Sequence, residues 1–312
     1  MGPLAQSSSA REPTPQPHAV ARYLVLGVPI AVGADDAQAL ACVDETYAGF
    51  RQDIGAPEPV YSAELIYGDG DVSSSSRPAI LVRDNQGYEQ EWPDTHAALI
   101  DLLDRIVHGV LAELHKRDIY AIHAGATVYR GAALIIAGRS GQGKTTLTLG
   151  LLQRGLGLLS DEFAVIDPAT QQIMPYRRSV HVRPGTPELI PELHFLNQQP
   201  QHRLGGGIEW SLTPADLVQA FPGCLAHAAP LRYVLLLDGA PRPADIPTIT
   251  PVPAALATME LLRGTWAASR DFRGGLARVG RLMNSVVCAR LHVGAFEPTL
   301  KAIVGWLEAH NG

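Results

Sequence analysis

Residues 138–145 read Gly-Arg-Ser-Gly-Gln-Gly-Lys-Thr, the GxxxxGK[ST] spacing of a phosphate cradle. Glycines at this spacing let the backbone curl so that successive N–H groups face one anion. A helix opening at Lys144 would turn its positive end toward the same place. The pattern predicts that Lys144 bridges the β- and γ-phosphates of a nucleoside triphosphate and that the Thr145 hydroxyl holds Mg²⁺. Gly138, Arg139, Ser140, Gly141, Gln142, Gly143 and Thr146 would complete the contacts to the nucleotide. Only three of the 25 Lys and Arg residues are lysines: Lys116, Lys144 and Lys301. The lysine at 144 therefore stands out, because a compact ammonium fits between phosphates where a forked guanidinium does not.

Two further constellations bear on the same chemistry. Asp161 and Glu162 follow the apolar stretch Leu156–Ser160, 16 residues after Thr145. A short strand–helix–strand return would bring Asp161 to the mouth of the loop, beside a terminal phosphate. Acids at a turn also serve simply as helix caps or solvated charges. His123 lies one strand upstream. A lone histidine in a β-rich segment is readily a core or surface residue, but here it could bond a transferring phosphoryl group or keep Asp161 ionised. Phosphoryl transfer calls for one more cation near the equatorial oxygens, and Arg183, Arg203 and Arg232 are the candidates.

Together these residues carry a family resemblance. The stretch Gly138–Asp167 resembles the HPr kinase/phosphorylase superfamily, with its GxSGxGKS loop (Ser140, Gly141), a helix ending at Arg154-Gly155, and a strand ending in the acidic pair Asp161-Glu162. His123 falls where that family carries an active-site histidine. The match is dense over 120–167 and thinner toward the C-terminus. Over 22–117 the chain looks like HPr-kinase-related proteins of modification gene clusters. The resemblance implies ATP and Mg²⁺ as cofactors, Asp161 as the base that deprotonates an alcohol, Lys144 and His123 as its catalytic companions, and Thr145, Asp161 and Glu162 as the metal side. Glu162 departs from the family's usual second Asp. Arg203-Leu204-Gly205-Gly206-Gly207 departs in spacing from the Arg-Gly-Leu-Gly signature on which the family's reverse, phosphorylase reaction depends.

The implied activity is transfer of the γ-phosphate to a serine of a peptide or small protein, including the precursors of lasso-type ribosomal peptides. Two alternatives stay open. One is a kinase for an amino acid or sugar hydroxyl, and the other is a nucleotide-binding sensor without transfer. The family's HPr-acting members form rings, so a homo-oligomer is compatible with the resemblance.

The elements that would position these residues are legible in outline. Residues 1–21, with Ser7–Ser9 and Pro13, Pro15 and Pro17, read as a flexible tail. A strand is expected over 22–30, a helix over 36–50, strands over 60–67 and 79–82, and a loop over 68–76. Leu99, Leu102, Leu103, Ile106, Val107, Val110, Leu111 and Leu114 recur at helical spacing after Thr95. Residues 22–117 thus read as a small α+β module that could hold a leader or substrate segment. From Tyr120 the pattern changes to short apolar strands: 121–128 and 132–137 about Arg130-Gly131, then 156–159, 163–166 and 172–174, and later 233–237 and 286–293. Helices are expected over 144–153, within 253–283 and over 297–310. The fold class is α/β: a P-loop kinase domain of the HPr kinase C-terminal type over 118–312, with a mixed sheet, preceded by the smaller module.

Composition supports this reading. Apolar residues make up 46% of the 312 and charged residues 18%, enough for a substantial core. A net charge of −6 argues against a nucleic-acid partner. Cys42, Cys224 and Cys288 form no metal or disulfide pattern. With no secretory pattern and no run of membrane-spanning length, a cytoplasmic protein without a membrane partner is expected.

Overall fold

The computed structural model describes residues 19–311 apart from 53–56, 69–79, 168, 205–206, 240–241, 243 and 264–271. Ala21, Tyr23 and Val25 face inward along β1 (Ala19–Val25), and the chain then reverses into β2 (Val28–Ala34), its antiparallel partner. The single strand expected over 22–30 is therefore a hairpin. Its turn, Leu26-Gly27, has both residues in the left-handed region (φ 52° and 74°). A leucine there gives no turn signal, because Asn, Asp or Gly is usual at that position. Most of the expected N-terminal tail and loop 68–76 lie outside the described residues.

Asp36 caps α1 (Ala37–Thr46) by accepting from the N–H groups of Gln38 and Ala39 at 2.7 and 3.0 Å. That helix ends before the expected residue 50, and a 3₁₀ turn covers Ala48–Phe50. β3 (Tyr61–Tyr67) runs parallel to β2, while β4 (Ile80–Asp84) and β5 (Glu89–Trp92) continue antiparallel. β5 carries no strand signal in the sequence, since Glu89, Gln90 and Glu91 show no apolar alternation. The result is a five-stranded mixed sheet, β1-β2-β3-β4-β5. α2 (Thr95–Lys116) lays the buried stripe Ala98, Leu102, Ile106, Val110 and Leu114 into its core.

The second sheet begins with β6 (Tyr120–Tyr129) and β7 (Ala132–Ala137), which turn at Arg130-Gly131. α3 (Lys144–Leu152) leads to β8 (Gly157–Ser160), β9 (Phe163–Asp167) and β10 (Gln172–Met174). The stretch 175–228, unread in the sequence, holds β11 (Val180–Val182), α4 (Thr186–Leu189), a 3₁₀ stretch over Pro191–Gln198, β12 (His202–Leu204), β13 (Gly207–Leu212) and α5 (Pro214–Ala220). β11-β13-β12 form a small antiparallel sheet. Then come β14 (Ala229–Asp238), β15 (Thr248–Pro251), α6 (Ala254–Arg263), α7 (Phe272–Met283), β16 (Val287–His292) and α8 (Phe296–Ala309).

The large sheet runs β10-β9-β6-β7-β14-β16-β15, with β8 also on β6. β7, β14 and β16 are mutually parallel and the outer pairings antiparallel. Leu147 and Leu151 of α3 share one core with Leu300, Ile303 and Leu307 of α8; Leu261, Leu262, Leu282 and Met283 of α6 and α7 belong to another. The molecule is thus a mixed α/β protein. No helix among the described residues is long and apolar enough to cross a membrane.

Candidate functional site

The loop between β7 and α3 has the conformation a phosphate cradle needs. Gly141 and Gly143 lie at φ 79° and 88°, where an L side chain would be strained. At Gly138 a Cβ would sit 2.9 Å from Leu237 Cβ and 2.6 Å from Gln142 Oε1, so the backbone passes too close for a side chain. The Gln142 side chain braces the curl by accepting from the Arg139 N–H at 2.5 Å. No side chain caps α3, whose N-cap is Gly143, so its first turn opens onto the loop. Lys144 folds back over the ring, donating through Nζ to the carbonyls of Gly138 (2.9 Å) and Arg139 (3.2 Å).

The acidic pair sits at a break between two strands that pair with the same edge of β6. β8 pairs Ser160 with Ala126, and β9 pairs Phe163 with His123. Asp161 and Glu162 therefore oppose Ala124 and Gly125. Across β6, those same residues pair with Ala137 and Ile136, the last residues before the loop. The buried Ser160 hydroxyl shapes this break by accepting from the N–H groups of Glu162 (3.1 Å) and Phe163 (3.0 Å), and the Ala124 N–H donates to the Glu162 carbonyl at 3.0 Å. The outcome is a buried Asp161 carboxylate whose Oδ2 lies 3.5 Å from the Thr145 hydroxyl.

The sequence matches no family profile and no curated protein. Among solved structures the chain is similar to the HPr(Ser) kinase/phosphatase from Coxiella burnetii. The similarity spans 62% of this chain and 99% of that one, at 13% identity and a TM-score of 0.30.

Electrostatics divide the two acids. Burial pushes the Asp161 carboxyl above its ordinary range; Arg178 opposes this and Glu162 adds to it. Burial also raises Glu162, but the charges of Arg178, His123, His181 and Lys144 together outweigh that and hold it below the ordinary range. Arg178 is the strongest of these, with Nη2 2.9 Å from Glu162 Oε2. His123 stands 4.0 Å from Glu162 Oε1 and remains 46% exposed. Burial lowers its imidazole pKa despite the pull of Glu162. Burial likewise lowers the Lys144 ammonium, with Glu162 and Asp161 pulling the other way.

Thr145, Asp161 and Glu162 offer only oxygen donors beside the β7–α3 loop, a set suited to a small hard cation such as Mg²⁺. Glu162 Oε2 is already engaged by Arg178, so the better-placed donors are Thr145 and Asp161.

Of the three arginines nominated from sequence, Arg183 pairs with Glu209 at 2.9 Å, and Arg232 lies exposed on β14. Arg203 falls in β12, beside residues outside the described set. Sequence reasoning missed Arg178. It follows Tyr176-Arg177 in a stretch with no periodicity, and nothing local distinguishes it from Arg177.

Proposed function

We propose that this chain is an ATP-dependent kinase that moves the γ-phosphate to a serine hydroxyl of a peptide or small protein. The observation that carries the reading is the Asp161 carboxylate, buried and held 3.5 Å from the Thr145 hydroxyl at the mouth of the loop. In this reading the loop amides and Lys144 hold the triphosphate. Thr145 and Asp161, with Glu162 behind them, would hold Mg²⁺, which when bound neutralises charge on the phosphate oxygens. Asp161, whose affinity for protons burial raises, accepts the proton of the acceptor hydroxyl as a general base. The hydroxyl oxygen then bonds to the γ-phosphorus, the bond from that phosphorus to the bridging oxygen breaks, and the electron pair leaves with ADP. Arg178 keeps Glu162 ionised, and His123 stands beside it on the exposed side.

The exposed His123, together with the exposed Arg139, Ser140 and Gly141, favours an acceptor that approaches from solvent over a small molecule fully enclosed. A ribosomal peptide precursor of the lasso type is the finer assignment, and it rests on the resemblance over 22–117. Among the described residues, β5 pairs only with β4, so its outer edge offers a place where an extended segment could add a strand.

The test is incubation with ATP and Mg²⁺ in the presence of free serine or a serine-terminated peptide, read by mass spectrometry. A gain of about 80 Da on the peptide alone is expected, the mass of one phosphate. Asp161→Asn should still bind ATP in the absence of Mg²⁺ yet, with Mg²⁺, transfer at least about 100-fold more slowly. A gain on serine alone would make the chain a small-molecule kinase. ATP binding with no transfer to any acceptor would make it a sensor.

A further inference from the structure

After β10 the chain runs along the acid side of the loop. The Tyr176 N–H donates to the Leu159 carbonyl at 2.9 Å, which lays residue 176 against β8. Two residues later Arg178 meets Glu162. β11 follows, and its Val180 and Val182 share a core with Leu149 and Leu152 of α3 and Leu158 of β8. This places β11 on the β8 flank of α3 rather than the β14 flank. Just beyond, the Thr186 and Thr146 hydroxyls bond at 3.0 Å, tying the chain to the first turn of α3.

Arg183 lies between these two anchors, and its charge acts on the Lys144 ammonium. Its Nε donates to Oε1 of Glu209 at 2.9 Å. Glu209 is buried, with 8% side-chain exposure, while Arg183 is 50% exposed. The other Glu209 oxygen lies 3.9 Å from His181 Nδ1. The Arg183 side chain makes no other hydrogen bond to a described residue, and its carbonyl accepts from the Thr186 N–H at 3.2 Å. An ordinary surface arginine pairs with an exposed acid or with none. Here a buried carboxylate grips Nε and leaves the two Nη groups, the fork that matches two phosphate oxygens, for a second anion.

The geometry points to Arg183 as a further phosphate-binding residue: fixed by Glu209, it takes the terminal phosphate of the nucleoside triphosphate on the Asp161 side of Lys144. This assignment rests on the nucleotide reading above. It makes Glu209 a positioning residue, acting through the guanidinium.

The test compares binding of the non-hydrolysable analogue AMP-PNP with binding of ADP, by calorimetry on the full chain with Mg²⁺. Arg183→Ala should weaken AMP-PNP roughly tenfold, the worth of a charge-assisted bond, and leave ADP unchanged. Arg183→Lys should recover part of the loss, and Glu209→Gln should weaken AMP-PNP by less than Arg183→Ala. Lys144→Ala should weaken both ligands. Wild-type affinity for both ligands in Arg183→Ala overturns the assignment, as does an equal loss of both. If the wild type holds neither nucleotide, the kinase reading itself fails. If the wild type holds both and Arg183→Ala matches it, only the role of Arg183 fails.

Discussion

At the scale of single residues, Arg178 is the group on which the division between Asp161 and Glu162 turns. Its side chain is 11% exposed and Glu162 is 29% exposed, so neither charge is well solvated. Removing one partner of such a pair strands the other. Arg178→Leu is therefore expected to lower stability by about 3 kcal/mol, read as a drop in the urea midpoint with an unchanged slope. An unshifted midpoint would mean that Glu162 finds solvent or another cation. Gly138 is sensitive for a steric reason, because a methyl group there must displace Leu237, whose Cβ would be 2.9 Å away. Gly138→Ala should cost roughly 1–3 kcal/mol, as overpacking does, and should weaken ATP binding as the curl opens. Thermal denaturation with and without ATP measures both effects, and a variant as stable as the wild type with full ATP protection would show that the loop yields freely.

At the scale of elements, the site depends on the interruption between β8 and β9. A continuous strand would pair along β6 without pause, and Asp161 and Glu162 would follow the regular alternation of the sheet. Ser160 holds the interruption open by satisfying two backbone donors at once. Ser160→Ala leaves those N–H groups buried without their acceptor, and a loss of about 1–3 kcal/mol is expected. Phosphotransfer should fall along with it, while ATP affinity, set by the loop across β6, should hold. Equal losses in affinity and turnover would show that the loop and the acid turn are not separable. The contrast between this turn and the loop also explains what could be read from sequence. The loop, α3 and the acid pair were legible because their glycines, Lys144 and the adjacent acids are local signals. The break itself, with Ser160 as its brace, was not, because it depends on pairing with β6, where Ala126, the partner of Ser160, lies 34 residues earlier in the chain. The same limit hid β11–β13, whose short strands become visible only through one another. It also hid Arg178 and Glu209, which acquire meaning from partners distant in sequence.

At the scale of the whole molecule, the two sheets are joined at the segment that carries Arg178. Tyr176 stacks on Phe50 at 5.7 Å and meets Phe163 edge-on at 5.9 Å, so one ring touches both the N-terminal elements and β9. Ser179 is bound twice to the end of α1, its N–H to the Thr46 carbonyl at 2.8 Å and its hydroxyl to the Glu45 carbonyl at 2.5 Å. Ala121, Val165 and Tyr176 lie in the same core cluster as Tyr23, Leu65 and Leu102 of the N-terminal sheet and helix. A core continuous across both sheets predicts that they unfold together. Calorimetry should give one transition whose measured enthalpy equals the van't Hoff value. Tyr176→Ala removes a fully packed ring from that junction and should cost about 3–5 kcal/mol. If the junction is what couples the sheets, the loss should appear as a lower midpoint together with a broader or split transition. Two well-separated transitions in the wild type would mean that residues 22–117 are held to the site only loosely. The N-terminal module could then not support the placement of Arg178 as the contacts at Tyr176 and Ser179 require.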